Sequence, residues 1–221
     1  MTLPMRVKAS IWPSGEPQLA AKLRVLPHPT DDSFSYDPSV TKENQIVAVG
    51  RWRIWQKDAP RLIKCLGEIL RREPDYRASI YGDGEERLKQ LASTLDLSVR
   101  ERIQIHGRAA PSSLVEAYRR SKIIFVPSRY ESFHVAAAEA LCCGVSVVGS
   151  PALPSFIDFA GAHSGTIATS RSVADLVDAA GAEITAWQEQ RRDPQQISHH
   201  WRNIVSATAV GKTLVREYDT L

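Results

Sequence analysis

Little in this sequence favours an oxidising compartment, a membrane or a polyanion. Only three of its 221 residues are cysteines. Cys142 and Cys143 are adjacent inside an apolar run, so the three form neither a metal-ligand spacing nor a secreted disulfide framework. A reducing cytoplasm is the expected setting. No apolar stretch approaches the roughly 20 residues that cross a bilayer, and the N-terminus lacks the apolar core of a signal peptide. Any membrane contact is therefore expected to be peripheral, at the inner face. Nor does charge of one sign dominate: 28 basic and 25 acidic residues leave +3, too mild and too evenly spread for the concentrated basic face that nucleic acid demands. No acidic pair of Asp-x-Asp type is placed to hold a divalent ion, because Asp31 and Asp32 are adjacent rather than alternating. No Gly-x-Gly-x-x-Gly follows the first strand, which argues against a dinucleotide-binding dehydrogenase.

What remains is an ordinary globular composition, 43% hydrophobic and 24% charged, with length enough to bury one good core. No internal repeat or low-complexity tract divides it. Residues 1–44 are rich in proline and polar residues and read as a lead-in with one strand at Leu23-Arg24-Val25-Leu26. From Gln45, short β-branched runs alternate with amphipathic stretches of helical period, the pattern of βαβ units and a parallel sheet. Strands are predicted at Ile46–Val49, Ala78–Tyr81, Ile103–His106, Ile123–Val126, Val145–Val148 and Gly165–Ala168. Between them Leu62, Ile63, Leu66, Ile69 and Leu70 fall on one helical stripe, Leu114, Val115 and Tyr118 on a shorter one, and Val173, Leu176, Val177, Ala180, Ile184 and Trp187 on a third. The fold class is α/β: a Rossmann-like parallel sheet of about six strands with helices on both faces. It occupies 45–197, and a last helical stretch fills 198–221.

In such sheets ligands bind beyond the C-terminal ends of the strands. There the sequence places Gly50-Arg51 with Lys57 after the first strand, Gly82-Asp83-Gly84 after the second, Gly107-Arg108 after the third and Pro127-Ser128-Arg129-Tyr130-Glu131 after the fourth. A glycine at a strand end admits a ligand close to the backbone or serves a turn with positive φ; convergence of several at one sheet edge favours the ligand. Ser132 to Cys143 predicts a helix apolar almost all round, closed by Gly144. Glu139 in its middle requires a hydrogen-bonding partner, an ion-pair partner or a ligand hydroxyl. Glu131, eight residues earlier, lies about 12 Å away along a helix axis, roughly the reach of a nucleotide sugar. Glu131 is open to a second explanation, as a helix-start carboxylate favoured by the dipole. Arg51 and Lys57 are either diphosphate ligands or solvated surface charges.

With these residues assembled, the chain resembles the retaining GT-B glycosyltransferases of the glycosyl transferases group 1 family, over about Val25 to Tyr218. In that family a Gly-Arg and a following Lys bind the donor diphosphate, matching Gly50-Arg51 and Lys57, and an E-x7-E motif matches Glu131 and Glu139. Pro127-Ser128-Arg129-Tyr130-Glu131-Ser132-Phe133 fits the family's Pro-Ser-x-x-Glu-x-Phe-Gly. The resemblance implies that Glu131 contacts the donor sugar and Glu139 the ribose, and that Gly107-Arg108 lies beside the nucleobase. Gly82, Ser132, Phe133 and His134 would line the same site. It implies one half of a GT-B fold acting as a hexosyltransferase without a cofactor or metal, its co-substrate a nucleotide-diphosphate sugar.

The sequence departs from the pattern in three places. His134 stands where the family has glycine, and either donates to the phosphate or points inward as a satisfied side chain. Ser150-Pro151-Ala152-Leu153-Pro154-Ser155-Phe156 replaces the family's Gly-Gly and further glutamate. Pro27-His28-Pro29-Thr30-Asp31-Asp32-Ser33-Phe34 resembles the segment that opens the second half of a GT-B enzyme, so the acceptor, whether glycan, lipid or small molecule, is expected on another domain. An N-terminal-domain partner chain or self-association is the corresponding expectation. A non-catalytic remnant that binds nucleotide as an interaction module is the alternative.

Overall fold

The computed structural model describes residues 26–153, 156–161 and 163–219. The strand expected at Leu23–Leu26 falls outside them, apart from Leu26, which is irregular. The described residues form six strands: β1 (Glu43–Val49), β2 (Arg77–Tyr81), β3 (Ile103–Gly107), β4 (Ser121–Val126), β5 (Ser146–Gly149) and β6 (Gly165–Ile167). Interleaved with them run α1 (Ala59–Arg72), α2 (Glu85–Ala92), α3 (Leu97–Arg100), α4 (Pro111–Arg120), α5 (Val135–Cys142), α6 (Phe156–Phe159) and α7 (Val173–Gln188), with α8 (Pro194–Val205) and α9 (Ala207–Tyr218) following. All strand pairs are parallel, in the order β3-β2-β1-β4-β5-β6.

The two-residue period of the strands divides the interior into two layers. Ile46 and Ala48 of β1, with Ile123 and Phe125 of β4, face the layer filled by α1 and α7, where Leu62, Leu66, Leu70, Leu176 and Ile184 are buried. Val47, Ile124 and Val126 point the other way, to α4, α5 and α8. Both faces of β1 and β4 are thus apolar, which is why their sequences read as continuous runs rather than as an alternation with polar residues.

The helix expected from Ser132 starts later, at Val135. His134 takes the left-handed conformation (φ 66, ψ 74) and acts as N-cap, so Glu131, Ser132 and Phe133 belong to the preceding loop. At the other end Gly144, at φ +74, packs so closely on α8 that a Cβ would lie 2.4 Å from the Pro194 carbonyl oxygen. Lys42 secures the same corner: its Nζ donates to the Cys143 and Tyr118 carbonyls at 2.9 Å each, giving a partner to carbonyls at the ends of α5 and α4.

The last helical stretch, expected as one piece from Ser198, is two helices. Ser206 leaves helical geometry (ψ 150) and its Oγ accepts from the Ala209 amide, capping α9. Its neighbours bind the lead-in: Thr30 N–H donates to the Val205 carbonyl at 2.7 Å and Ala207 N–H to the Thr30 carbonyl at 2.8 Å. This pins the segment carrying His28 against the body of the domain.

Candidate functional site

The strand order places β1 beside β4 at the centre of the sheet, with the connections on either side of them leaving toward opposite faces. The crevice at such a reversal is the expected ligand position. A cleft of about 640 Å³ lies there, within the size range of small-molecule sites. It brings together most of the residues expected from the sequence: Gly50, Arg51 and Lys57 after β1, Gly82 after β2, Arg108 after β3, and Glu131, Ser132, Phe133 and His134 after β4. Gly107 and Glu139 do not line it.

Its basic groups differ in state. Arg51 is exposed on the wall, whereas Lys57 Nζ is 2.6 Å from Glu131 Oε1, with only 13% and 8% of the two side chains exposed. Glu131 is therefore an ion-pair partner as well as a carboxylate just ahead of a helix. The loop that carries it is fastened to the loop carrying Lys57: Gln56 Nε2 donates to the Tyr130 carbonyl and the Arg129 amide to the Gln56 carbonyl, both at 2.8 Å.

His134 does two things at once. Its Nδ1 accepts from the Ala137 amide at 3.0 Å, which fixes the proton of the neutral ring on Nε2. That nitrogen lies 3.9 Å from Glu131 Oε1, on the cleft side. Burial, aided by the nearby Lys57 charge, pushes the His134 pKa well below the ordinary imidazole value, so the ring is neutral and Nε2 is a donor. Its cap consumes the Ala137 amide and leaves those of Val135 and Ala136, which line the cleft, without intrahelical partners.

Glu139 finds its hydrogen-bonding partner in Tyr118, whose hydroxyl is 3.4 Å from Oε2. Burial raises its pKa, opposed by the Tyr118 hydroxyl and by charge on His28. The glycine at 82 has a structural cause: at φ +120 its hypothetical Cβ would sit 1.8 Å from the Gly50 carbonyl oxygen, so close passage of two strand ends, besides any ligand, demands it.

Nine lining residues lay outside the sequence-based set, and four of them are polar or aromatic: His28, Gln56, Tyr81 and Asp83. The His28 ring stacks on Phe133 at 6.1 Å, and Tyr81 stacks on His106 at 4.4 Å and 9°. Asp83 has one buried carboxylate oxygen without a partner among the described residues. Tyr81 and Asp83 carried a signal, being the last residue of a predicted strand and the centre of Gly82-Asp83-Gly84; His28 carried none, since only the tertiary fold brings the lead-in to the cleft. Among the described residues no three His, Cys, Asp or Glu side chains converge as metal ligands, and no helix is long and apolar enough to cross a membrane.

The doubly wound sheet with this cleft at its central crevice matches one half of larger two-part folds. The sucrose-phosphate synthase of Thermosynechococcus elongatus superposes on it with a TM-score of 0.75 at 17% identity, covering 100% of this chain and 57% of that one. Anabaena HepE, solved in complex with UDP-glucose, gives 0.72 at 18% identity, covering 90% of this chain and 57% of that one. The particular family follows from sequence: residues 31–199 match the model of glycosyl transferases group 1, and the chain belongs to that family. It is similar to the D-inositol 3-phosphate glycosyltransferases of Corynebacterium jeikeium (32% identity over 131 residues, 54% of this chain and 30% of that protein) and Frankia alni (29% over 170 residues, 72% and 39%). The chain thus spans about a third of the length of these curated relatives.

Proposed function

We propose that the cleft binds a nucleotide-diphosphate sugar and that the chain is the donor-binding half of a glycosyltransferase. The observation that carries this reading is the convergence of Arg51, Lys57, Glu131 and the unpaired first-turn amides of α5 on one cleft. Two cations and a helix N-terminus suit a diphosphate, and the same groups neutralise the charge that grows on it as the glycosidic bond breaks. Displacement of Lys57 toward the diphosphate frees Glu131 to accept from hydroxyls of the transferred sugar. Arg108, on the cleft wall, serves the base; Gly107 and Glu139 lie outside the lining, and Glu139 is assigned the ribose from the family's E-x7-E motif. The transfer is metal-independent and retains anomeric configuration, and the acceptor is supplied by an N-terminal domain or a partner chain in the cytoplasm.

Titration calorimetry with UDP-, GDP- and ADP-sugars tests the reading, beginning with UDP-glucose because that compound occupies a structural neighbour. Binding of one of them, weakened by Glu139→Ala, is the expected result; no binding of any refutes it. Product anomeric configuration by NMR, measured with an acceptor-domain partner present, tests retention. One observation favours a second reading, a nucleotide-binding module without turnover: Lys57 and Glu131 satisfy each other at 2.6 Å. Donor binding with neither transfer nor sugar-nucleotide hydrolysis would select it.

A further inference from the structure

Beside the cleft, but contributing nothing to its lining, three arginines converge on one carboxylate. Asp58 is buried at 4% exposure. Its Oδ2 lies 3.0 Å from Arg61 Nε, 2.9 Å from Arg171 Nη2 and 3.1 Å from Arg129 Nε. The arginines come from α1, the loop after β6 and the loop after β4, so the cluster closes over the C-terminal edge of the sheet. Three guanidiniums against one carboxylate leave a surplus of two positive charges. The neighbouring acids do not offset it: Glu131 is bound to Lys57, Glu68 to Arg71, and Asp175 to the hydroxyls of Ser170 and Thr169.

All three guanidiniums meet the single oxygen Oδ2, and Arg61 also ties its helix to the Arg171 carbonyl through Nη1, so the loops are already joined and each further guanidinium adds like-charge repulsion with no second carboxylate to offset it. Two features show where the surplus is directed. Arg171 keeps a buried Nε without a hydrogen-bond partner among the described residues. Arg129, its Nε spent on Asp58, remains 44% exposed, with its guanidinium 6.0 Å from the ring of Trp55, itself 72% exposed. Fork-shaped donors in surplus, next to an open aromatic face, suit an oxyanion of two charges, and an aromatic face beside it suits the apolar side of a sugar ring.

We propose that Arg61, Arg129 and Arg171 form a second anion site for a phosphate-type dianion, carried as free phosphate or as the phosphomonoester of a sugar seated against Trp55. The site stands apart from the donor cleft and does not depend on how that cleft is used.

The test is calorimetric titration of the full chain in chloride buffer with inorganic phosphate and with glucose 6-phosphate, each with and without saturating UDP. Both dianions are expected to bind whether or not UDP is present, with affinity falling about tenfold or more in Arg129→Gln and UDP binding unchanged in that variant. Arg129 is partly exposed, so its variant is expected to fold, which circular dichroism checks; Arg171→Gln provides a second arm. Glucose 6-phosphate binding about tenfold tighter than phosphate, with Trp55→Ala removing that margin, assigns the site to sugar phosphates; equal affinity assigns it to the free anion. Binding abolished by UDP, binding unchanged in Arg129→Gln, or no binding at millimolar concentration each overturns the proposal. Failure of UDP itself to bind refutes the donor reading and leaves the Arg129 comparison intact.

Discussion

Lys57 and Glu131, 74 residues apart in sequence, meet at 2.6 Å with both side chains largely buried. Each is the other's neutralising partner, so removing one leaves an uncompensated buried charge at a cost of order 3–5 kcal/mol. Lys57→Met and Glu131→Gln are each expected to destabilise the domain in urea denaturation. The double variant should lose less than the sum of the two, because it leaves neither charge behind. The same pair separates the roles of its members in binding. Glu131→Gln frees Lys57, so affinity for UDP should hold or rise, while affinity for UDP-glucose relative to UDP should fall if Glu131 contacts the sugar. Lys57→Met should weaken both ligands about tenfold or more. Parallel titrations of UDP and UDP-glucose read all three.

His134 occupies a left-handed backbone position and caps α5 through Nδ1. Replacement by glycine removes the cap and the conformational strain together; Gly is a tolerable N-cap, only a few tenths of a kcal/mol below the best, so His134→Gly should be nearly neutral at pH 7.5. The two proteins should diverge in acid. Burial depresses the folded-state pKa of His134 far below 6.5, so below that pH the unfolded chain binds a proton the folded chain refuses. Wild-type stability then falls, relative to the glycine variant, by about 1.4 kcal/mol per pH unit. Denaturation midpoints at pH 7.5, 6.0 and 5.0 should show the variant overtaking the wild type.

The sheet was legible because its signal is local. Ile46–Val49 and Ile123–Val126 announce buried strands by their own composition, and the observed strands contain nearly all the predicted residues. The helix boundaries were less so. Nothing but a glycine advertises a left-handed residue, and a histidine at 134 conceals where α5 begins; the apolar stripe runs through Ser206, so periodicity passes over a break that the hydroxyl cap creates. In the site, the strand-end residues could be placed at one edge by topology alone. The contacts could not: Lys57 with Glu131, Tyr118 with Glu139 and His28 with Phe133 are long-range relationships that no spacing encodes. Asp58 and its three arginines were invisible for the same reason, since Arg129 and Arg171 look like ordinary loop cations until the fold brings them to one carboxylate.

Gly82 tests the close passage of β1 and β2. A methyl group there would enter the Gly50 carbonyl, a backbone atom that cannot rotate away, at a φ that L side chains rarely adopt. Gly82→Ala should therefore destabilise by several kcal/mol, the sum of strain at a special φ and forced separation of two paired strands. Gly211, in exposed α9 with nothing within 4 Å of a Cβ, is the control: Gly211→Ala should stabilise by up to about 1 kcal/mol through helix propensity. Urea denaturation of the two variants should move in opposite directions.

Lys42 supplies a pH dependence of its own at the alkaline end. Burial lowers its pKa to about 7, against an ordinary 10.5 in the unfolded chain. Between those values the unfolded chain carries a proton that the folded one has released, so folding grows more favourable as pH rises through that window, and the contribution is lost as pH falls toward 7. Lys42→Met removes the titration along with the two hydrogen bonds to the Cys143 and Tyr118 carbonyls. The variant should be less stable than the wild type throughout, because two helix-end carbonyls lose a partner, and the deficit should widen from pH 7.5 to pH 9.5. A constant deficit across that range would mean that Lys42 keeps its proton in the fold, held by the two helix ends.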